Sequence, residues 1–403
     1  MTKLSLSQYL ENVKRSIKNK NAKILSHQLK LTDWHVKNNN LADPHPEKIV
    51  MSILTAPWDQ ILSAHIRSIW ALNSLKYEEA FACQIIIVKA ISRIFGEMKD
   101  NWLLPVVLTV AVDIRRLAHG LDLNYSLNDS VKSSEKSSIG SSNKMEDVAQ
   151  FIMRLFQLCA GDNRPNLEES KKCGMMGLAN QLFKIYFQIN KLNLCKPMIR
   201  AIDNMSMDDH FSIAQKVTYR YYVGRKAMFD GDFVKADEHL SFAFRHCLAT
   251  NKHNKRLILI YLIPVRMLLG SMPLQSLLQK YNLLEFSEIV EATKLGNLKL
   301  LLSELTKHEN FFFSCGIYLI LEKLKMITYR NLFKRVVEIL GTHQLPIEAF
   351  TEILRYMGIE DIDSDETECI LVNLIHQGII KGYIAHKHQK LVISKAQPFP
   401  NFR

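Results

Sequence analysis

The chain has 403 residues, of which 47% are apolar, and a formal net charge of +12 at pH 7. It is long enough to bury a large core, and its charge permits an acidic or nucleic-acid partner without identifying either. Its seven cysteines form no CxxC pair, so we predict neither a zinc site nor a disulfide framework. The longest apolar runs, 103–112 and 257–269, fall short of the ~20 residues of a membrane span, so we predict no membrane segment.

The N-terminus is basic and poor in acids, which leaves a targeting presequence open, but its apolar residues favour a folded helix. Ser5 and Gln8 have the spacing of a capping box. The apolar residues on one face of the predicted helix are Leu6, Tyr9, Leu10, Val13 and Ile17. The serine-rich stretch 127–144, by contrast, predicts a flexible loop because it lacks large apolar residues.

Four similar turns follow amphipathic helical segments along the chain. They read "LKYEEAF" from Leu75, "NKLNLCK" from Asn190, "GDFVKAD" from Gly231 and "GNLKLLL" from Gly296. Each has a bulky apolar residue two positions on, and we expect the third of these, Phe233, to be buried between hairpins. This pattern predicts an all-α, TPR-like array of helical hairpins with irregular spacing.

The pattern changes after about residue 326. "TYRNLFKRVVEIL", "LPIEAFTEILRYMG" and "DSDETECILVNLIHQG" predict three helices, and alternating residues predict strands over 379–386 and 390–394. Three helices followed by a small β-hairpin are the order of a winged helix. We therefore predict an N-terminal helical-repeat region (1–205), a further helical-repeat region (206–326) and a C-terminal winged helix with its tail (327–403).

A helical array that runs directly into a winged helix is the plan of a PCI domain. Segments such as "NQLFKIYFQINKLNLCKPMIRAID", "TYRYYVGRKAMFDGDFVKADEHLSFAFRHC" and "GYIAHKHQKLVISKAQPFP" resemble the Thp-type branch of the PCI family. The resemblance covers nearly the whole chain, and the serine-rich stretch is its weakest part.

The resemblance implies a non-catalytic scaffold or adaptor subunit of the second transcription–export (TREX) complex, which couples transcription to mRNA export. It implies two protein partners, a GANP/Sac-type scaffold and a small acidic Sem-type protein. It also implies that paired winged helices bind RNA, with DNA as a further candidate. It places such a protein in the nucleus, including the nuclear pore, with the cytoplasm as a further location. The alternative is a scaffold subunit of a lid-like or signalosome-like PCI complex without nucleic-acid contact.

Signs of an enzyme are weak, and we predict no catalytic residue, metal or cofactor. "HKH" at 386–388 resembles the HxH of metal-dependent deubiquitinases, but Gln389 follows it and no Asp lies beyond. Two histidines without a third ligand make a poor zinc site. The chain also has no GxxxxGK phosphate loop and no GxSxG elbow.

Basic residues of the winged helix are the candidate nucleic-acid contacts. The third predicted helix begins among acids (Glu360, Asp361, Asp363, Asp365, Glu366 and Glu368), which argues against reading of bases in the major groove. The cations before and after it can bind phosphates without base identity. They are Arg330, Lys334, Arg335, Lys381, Lys387, Lys390 and Lys395. The alternative is a solvated face with lysines that protect a sheet edge.

Two further groups are candidate partner contacts. A second basic region suits an acidic strand or extends the nucleic-acid path, and each of its side chains can instead simply cover a helix surface. It consists of Arg220, Arg225, Lys226, Lys252, Lys255 and Arg256. On the first wing strand, Ile380 and Tyr383 are candidates for contact with the scaffold. In the alternative, the C-terminal "QPFPNF" fills the crevice through Phe399 and Phe402.

Overall fold

The computed structural model describes residues 5–129 (backbone alone for 124–129), 144–164, 166, 169–205 and 210–400. The predicted serine-rich loop falls largely outside these residues, since helix α6 ends at Asp129 and helix α7 begins at Lys144. The chain divides into two compact units, Met1–Tyr219 and Arg220–Arg403. The limits predicted at 205/206 and 326/327 stay predictions.

The first unit is a set of packed helices. Its helices are α1 (Leu6–Lys18), α2 (Ala22–Gln28), α3 (Glu47–Ile53), α4 (Trp58–Asn73), α5 (Tyr77–Glu97), α6 (Leu104–Asp129), α7 (Lys144–Ala160), α8 (Met175–Gln188) and α9 (Cys195–Asp203). The predicted capping box is confirmed: Ser5 and Gln8 each accept a hydrogen bond from the other's backbone N–H.

Buried polar contacts hold the start of the first unit. The Asp113 carboxylate accepts the Leu31 N–H at 2.9 Å, and burial raises the pKa of Asp113 to about 6. The Nε2 atoms of His35 and His65 lie 3.3 Å apart. Burial lowers the pKa of His65 to about 3, and it also lowers that of His35. These imidazoles are therefore neutral in the fold near pH 7.

Helix α10 comprises Ile213–Phe229. The second unit continues with α11 (Phe233–His246), α12 (Lys252–Leu268), α13 (Gln275–Lys280), α14 (Ser287–Leu295), α15 (Leu298–Lys307), α16 (Glu309–Cys315), α17 (Tyr318–Glu322), α18 (Leu324–Leu340), α19 (Ile347–Tyr356) and α20 (Ser364–His376). Its strands are β1 (Gln344–Pro346), β2 (Gly382–Ala385) and β3 (Lys390–Ile393). Of the helices in the described residues, none has the length and apolarity to cross a bilayer.

The four turns noted in the sequence share one backbone geometry. Leu75, Asn190, Gly231 and Gly296, the first residue of each motif, all have positive φ. The following N–H reaches back to a carbonyl five residues earlier, as Lys76 N does to Ala71 O at 2.8 Å. This is the bond of a Schellman motif, and it explains why these helices end where they do.

The apolar residue two positions after each positive-φ residue begins the next helix or 3-10 turn, but its burial varies. Leu298 is 1% exposed, whereas Tyr77 is 39% exposed. Phe233 is only half-buried, beneath the Lys323 amine at 5.3 Å, so the expectation of full burial was wrong. The reason is that this turn lies at the surface, since Gly231 and Val234 on either side of it are exposed.

Helices α18, α19 and α20 and the small sheet form the winged helix, and the predicted all-α array followed by a winged helix is confirmed. Gly341 ends α18 with a φ of 59°, and Asp363 caps α20 by accepting the Glu366 N–H. The sheet is antiparallel in the order β1-β3-β2, so a third strand precedes the predicted hairpin. Leu345 of β1 and Ile384 of β2 both pair with Leu391 of β3.

The winged-helix core also draws on the helices before it. Its cluster includes Phe333 and Phe350, whose rings meet edge to face at 5.0 Å between centroids, and Leu298 of α15. The backbone of Gly296 lies so close to α18 that an added Cβ would stand 2.4 Å from Leu332 N. The array and the winged helix thus share one packed interior within the second unit.

Candidate nucleic-acid and partner surfaces

The wing presents cations at both of its ends. Lys387 lies in a 3-10 turn, His386–His388, and Lys390 begins β3 directly after Gln389, which has a φ of 47°. At the base, Lys381 and Lys395 flank the two strands, and the Ser394 N–H donates to Lys381 O at 2.8 Å. All four side chains are exposed, and within the described residues none has an ion-pair partner. Their charges are therefore available to an anion.

Helix α18 adds two exposed cations on its outer face. Arg335 has no ion pair among the described residues, and Lys334 lies 3.7 Å from Glu338. Such an exposed i,i+4 pair contributes only about 0.3–0.5 kcal/mol, so Lys334 can exchange its partner at little cost.

Arg330 departs from the exposed phosphate contact predicted for it. It is 8% exposed, and its guanidinium donates to Phe399 O at 3.2 Å and to Pro400 O at 3.0 Å. Burial lowers the pKa of Arg330 below its ordinary value. The physical reason is that the C-terminal tail covers this part of α18, so the charge binds the tail instead of facing solvent.

The C-terminal tail covers the crevice beside the wing strand, which was the alternative to a contact with the scaffold. The Phe399 ring packs against the winged-helix core and lies 5.8 Å from the Arg330 guanidinium. The Lys381 N–H donates to Pro398 O at 2.8 Å. Phe402, the second aromatic residue proposed for this crevice, lies outside the described residues.

One of the two predicted scaffold contacts on the wing is buried. Ile380 is 1% exposed and belongs to the core cluster, so the structure contradicts its use as a partner contact. Tyr383 is 63% exposed, and it lies on β2, which is an edge of the sheet. The neighbouring apolar residues therefore divide between the core and the outer face, as alternation along a strand requires.

The second basic region is largely engaged within the chain. Lys226 is 4% exposed and its amine binds the Asp230 carboxylate, so it cannot meet a partner as predicted without losing that pair. The Arg225 guanidinium lies 4.1 Å from the centroid of the Tyr261 ring. Lys255 donates to Phe244 O at 2.9 Å. These three cations lie over helix surfaces, as the alternative interpretation held.

The remaining members of this region reach solvent to different degrees. Lys252 is exposed at the first turn of α12 and has no ion pair in the described part of the chain. Arg220 is half-buried, with its guanidinium 2.9 Å from His239 Nδ1. Arg256 is half-buried, donates to Asn282 O at 3.3 Å and lies 4.0 Å from Glu285. Lys252 is thus the most exposed of these three cations.

An ion pair ties the wing to helix α20. His386 Nδ1 lies 2.8 Å from one Glu368 carboxylate oxygen and 3.0 Å from the other. The hydrogen bond to Glu368, and then its charge, raise the pKa of His386. The sequence singled out this histidine only as part of a doubtful metal motif. Among the described residues, no group of three or more His, Cys, Asp or Glu could hold a metal ion.

Sequence reasoning missed two features of these surfaces. The structural role of Arg330 was hidden because its tail partners are backbone carbonyls 69 and 70 residues away. The small groove between α20 and the wing was missed because it needs the pairing of Glu368 with His386. The acids along 360–368 were evident from the sequence, but the hollow beside them was not.

Comparisons with known proteins connect this architecture to one family. The PCI domain model matches residues 305–395. The chain is 47% identical to "PCI domain-containing protein 2" of Danio rerio, over 99% of this chain and 98% of that protein. The protein of the same name from Xenopus laevis is also 47% identical over the same shares. The "PCI domain-containing protein 2 homolog" of Drosophila melanogaster is 43% identical, over 98% of each chain.

Proposed function

We propose that this chain, which belongs to the family of PCI domain-containing protein 2, is a scaffold subunit of a transcription-coupled mRNA export complex that binds nucleic acid through its winged helix. The binding is independent of base sequence and uses the wing and the outer face of α18. The chain acts in the nucleus, at the pore among other places, on a GANP/Sac-type scaffold and with a small acidic Sem-type partner.

The observation that carries the nucleic-acid part is the set of exposed, unneutralised cations on the wing. Lys387 and Lys390 stand at its tip and Lys381 and Lys395 at its base, without ion pairs among the described residues. At about 3.4 Å per residue, the four-residue strands separate the two groups by roughly 14 Å. Cations spaced along a ridge suit a phosphate backbone, which supplies one charge after another at a regular interval.

The distribution of charge supports contact with the backbone instead of reading of bases. Asp365 and Glu366 are exposed at the start of α20, the helix that would enter a major groove in many winged helices. Those carboxylates repel phosphates and keep the duplex from that helix. The cations of the wing and of α18 are left to make contacts that carry no sequence information.

The scaffold part rests on family membership and on the exposed edge at β2. Tyr383 projects from an edge strand and offers an apolar surface to a second PCI module. For the acidic partner, exposed Lys252 and half-buried Arg220 are the first contacts, since Lys226 already binds Asp230.

An oligonucleotide titration of the chain assembled with its scaffold tests the nucleic-acid surface. Lys387→Glu with Lys390→Glu should weaken binding of every sequence. Each lost phosphate contact should flatten the salt dependence by roughly 0.7–0.9 log unit per log unit of salt. Adding Lys334→Glu and Arg335→Glu should deepen the loss. Arg330 is left intact because it holds the tail.

The matched control is Lys294→Glu with Lys299→Glu, which makes the same charge change at exposed positions of α14 and α15. An equal loss of oligonucleotide affinity in this control would mean that the wing variant acts only through the net charge of the chain. Unchanged affinity and slope in the wing variant, with the scaffold still bound, would favour the alternative of a lid-like or signalosome-like subunit without nucleic-acid contact.

A further inference from the structure

A small groove lies between helix α20 and the wing turn that carries Lys387. It has a volume of about 420 Å³ and is lined by Asp365, Glu368, Cys369, Val372, Asn373 and His386. We call it the α20 groove. Its size suits two or three side chains of a linear segment, at the lower end of the range for ligand pockets.

The groove is built along one stripe of α20. Asp365, Glu368, Cys369 and Val372 follow at helical spacings of three and four, so they share a face. The His386–Glu368 pair closes one side by fixing the wing turn against the helix at 2.8 Å. The side chain of Glu368 is only 15% exposed, so this wall is held by a largely covered carboxylate.

The floor of the groove is apolar although it faces solvent. Val372 is 50% exposed, in the middle of a helix whose inner face buries Leu371 and Leu374 in the core. Cys369, one turn earlier, is also exposed. An apolar stripe on the outer side of a helix is typical of a surface that a partner covers.

The rim of the groove is acidic in a protein whose net charge is +12. Asp365 is exposed, and Glu360, Asp361 and Glu366 are exposed close to it in sequence. None of these four carboxylates is paired with Lys or Arg within the described residues, although the charge of Asp365 acts on His386 across the groove. The carboxylates on the α20 side therefore favour a cationic side chain at Asp365, whereas His386 and Lys387 make the wing side of the groove basic.

We propose that the α20 groove binds a short basic segment of a partner protein, with an apolar side chain on Val372 and Cys369 and an Arg or Lys on Asp365. The apolar contact supplies affinity, and the charges supply the rate of encounter and selectivity against acidic partners. The occupant is thus opposite in charge to the nucleic acid proposed for the wing cations.

Fluorescence anisotropy of the full chain with three labelled peptides tests this inference. The probe is a short Arg/Leu peptide, and its two counterparts replace Arg by Glu or Leu by Ser. We expect saturable binding of the Arg/Leu peptide alone. Val372→Ser and Asp365→Lys should each weaken it about tenfold, which is the effect of losing one good contact.

The matched control is Glu366→Lys, which makes the same charge change in the same first turn of α20 but does not line the groove. It should weaken binding about threefold or less at physiological salt, where exposed charges are screened beyond about 8 Å. Val372→Ser alters an exposed residue and should leave the melting temperature close to that of the parent chain. The two charge reversals remove carboxylates from the first turn of α20, so both should lower the melting temperature by a similar small amount.

Several outcomes would overturn the inference. They are no saturable binding of the Arg/Leu peptide, equal binding of the Arg/Ser peptide, and an equal loss in Glu366→Lys and Asp365→Lys. Displacement of the peptide by an oligonucleotide would assign the groove to nucleic acid. Loss of self-association in Val372→Ser, seen by sedimentation, would assign it to a second copy of the chain.

Discussion

An Arg330→Met variant removes the guanidinium that joins helix α18 to the C-terminal tail while keeping a long apolar side chain. In the parent chain that group donates to Phe399 O and Pro400 O at 3.2 and 3.0 Å. Its position also places it over the Phe399 ring. The change therefore removes the polar attachment of the tail to α18, together with the guanidinium's hydrogen bond to the Asn331 side chain, and leaves the surrounding apolar packing largely in place.

The size of the effect follows from these contacts. A hydrogen bond from a charged donor contributes about 1.5–3 kcal/mol. Both bonds come from one nitrogen, and the freed carbonyls regain water when the tail lifts, so we expect a net loss of about 2–3 kcal/mol. For a unit of this size, each kcal/mol shifts the melting temperature by about 2–4 °C, which gives a fall of roughly 5–10 °C.

Thermal melting combined with amide hydrogen exchange measures both parts of this expectation. Protection of the Lys381 amide, which donates to Pro398 O, should fall because the tail supplies its acceptor. The matched control is Arg335→Met, an exposed cation on the same helix, with an effect within about 0.5 kcal/mol. If Arg330→Met and Arg335→Met melt alike and Lys381 stays protected, the tail is not held by Arg330 and the reasoning fails.

Two further predictions concern backbone packing and pH. Gly296→Ala should lower the free energy of unfolding by more than about 2 kcal/mol, because its φ of 69° strains an L-residue and the new Cβ would lie 2.4 Å from Leu332 N. The control is Gly231→Ala, at a φ of 84° with nothing within 4 Å of the new Cβ. Equal melting temperatures of the two variants would contradict the clash. His65, whose folded pKa is about 3, binds a proton more readily when unfolded, so its contribution to stability is lost as pH falls from about 6.5 towards 3, at about 1.4 kcal/mol per pH unit. Asp113, whose pKa is raised to about 6, acts in the opposite direction: its contribution to stability is lost as pH rises from its unfolded pKa towards 6. The test therefore compares the free energy of unfolding, measured with denaturant from pH 7 to 5, between the parent chain and His65→Gln. Equal pH dependence of the two proteins would refute the assignment to His65.

The sequence predicts most of the architecture because local signals and tertiary packing agree over most of the chain. Gly341 and Gly358 lie where helices end, and Asp363 lies where α20 begins, so these limits could be placed from residue type alone. Strand β1 was not predicted because three residues between two helices are too few to show an alternation of apolar and polar residues. It forms only because β3 supplies its partners.

The candidate surfaces were less predictable than the fold. Charge and exposure coincide at Lys387 and Lys390, which precede and follow a turn residue at the wing tip. They diverge at Arg330 and Lys226, where a cation on a helix faces a partner within the chain. Periodicity shows which face of a helix is apolar, but it does not show whether a distant carbonyl or carboxylate covers a charge. That information enters only with the tertiary structure.

The shared interior of the second unit has a consequence for how this winged helix can be handled and how it can evolve. Leu298 fills its core from α15, and Gly296 brings α14 against the backbone of Leu332. A fragment cut near residue 326 would divide α18, which begins at Leu324, and would leave a hole where Leu298 sits. The winged helix is therefore inseparable from the hairpins that precede it. Truncations meant to isolate it should begin before Ser287. A winged helix exchanged between relatives must include α14 and α15.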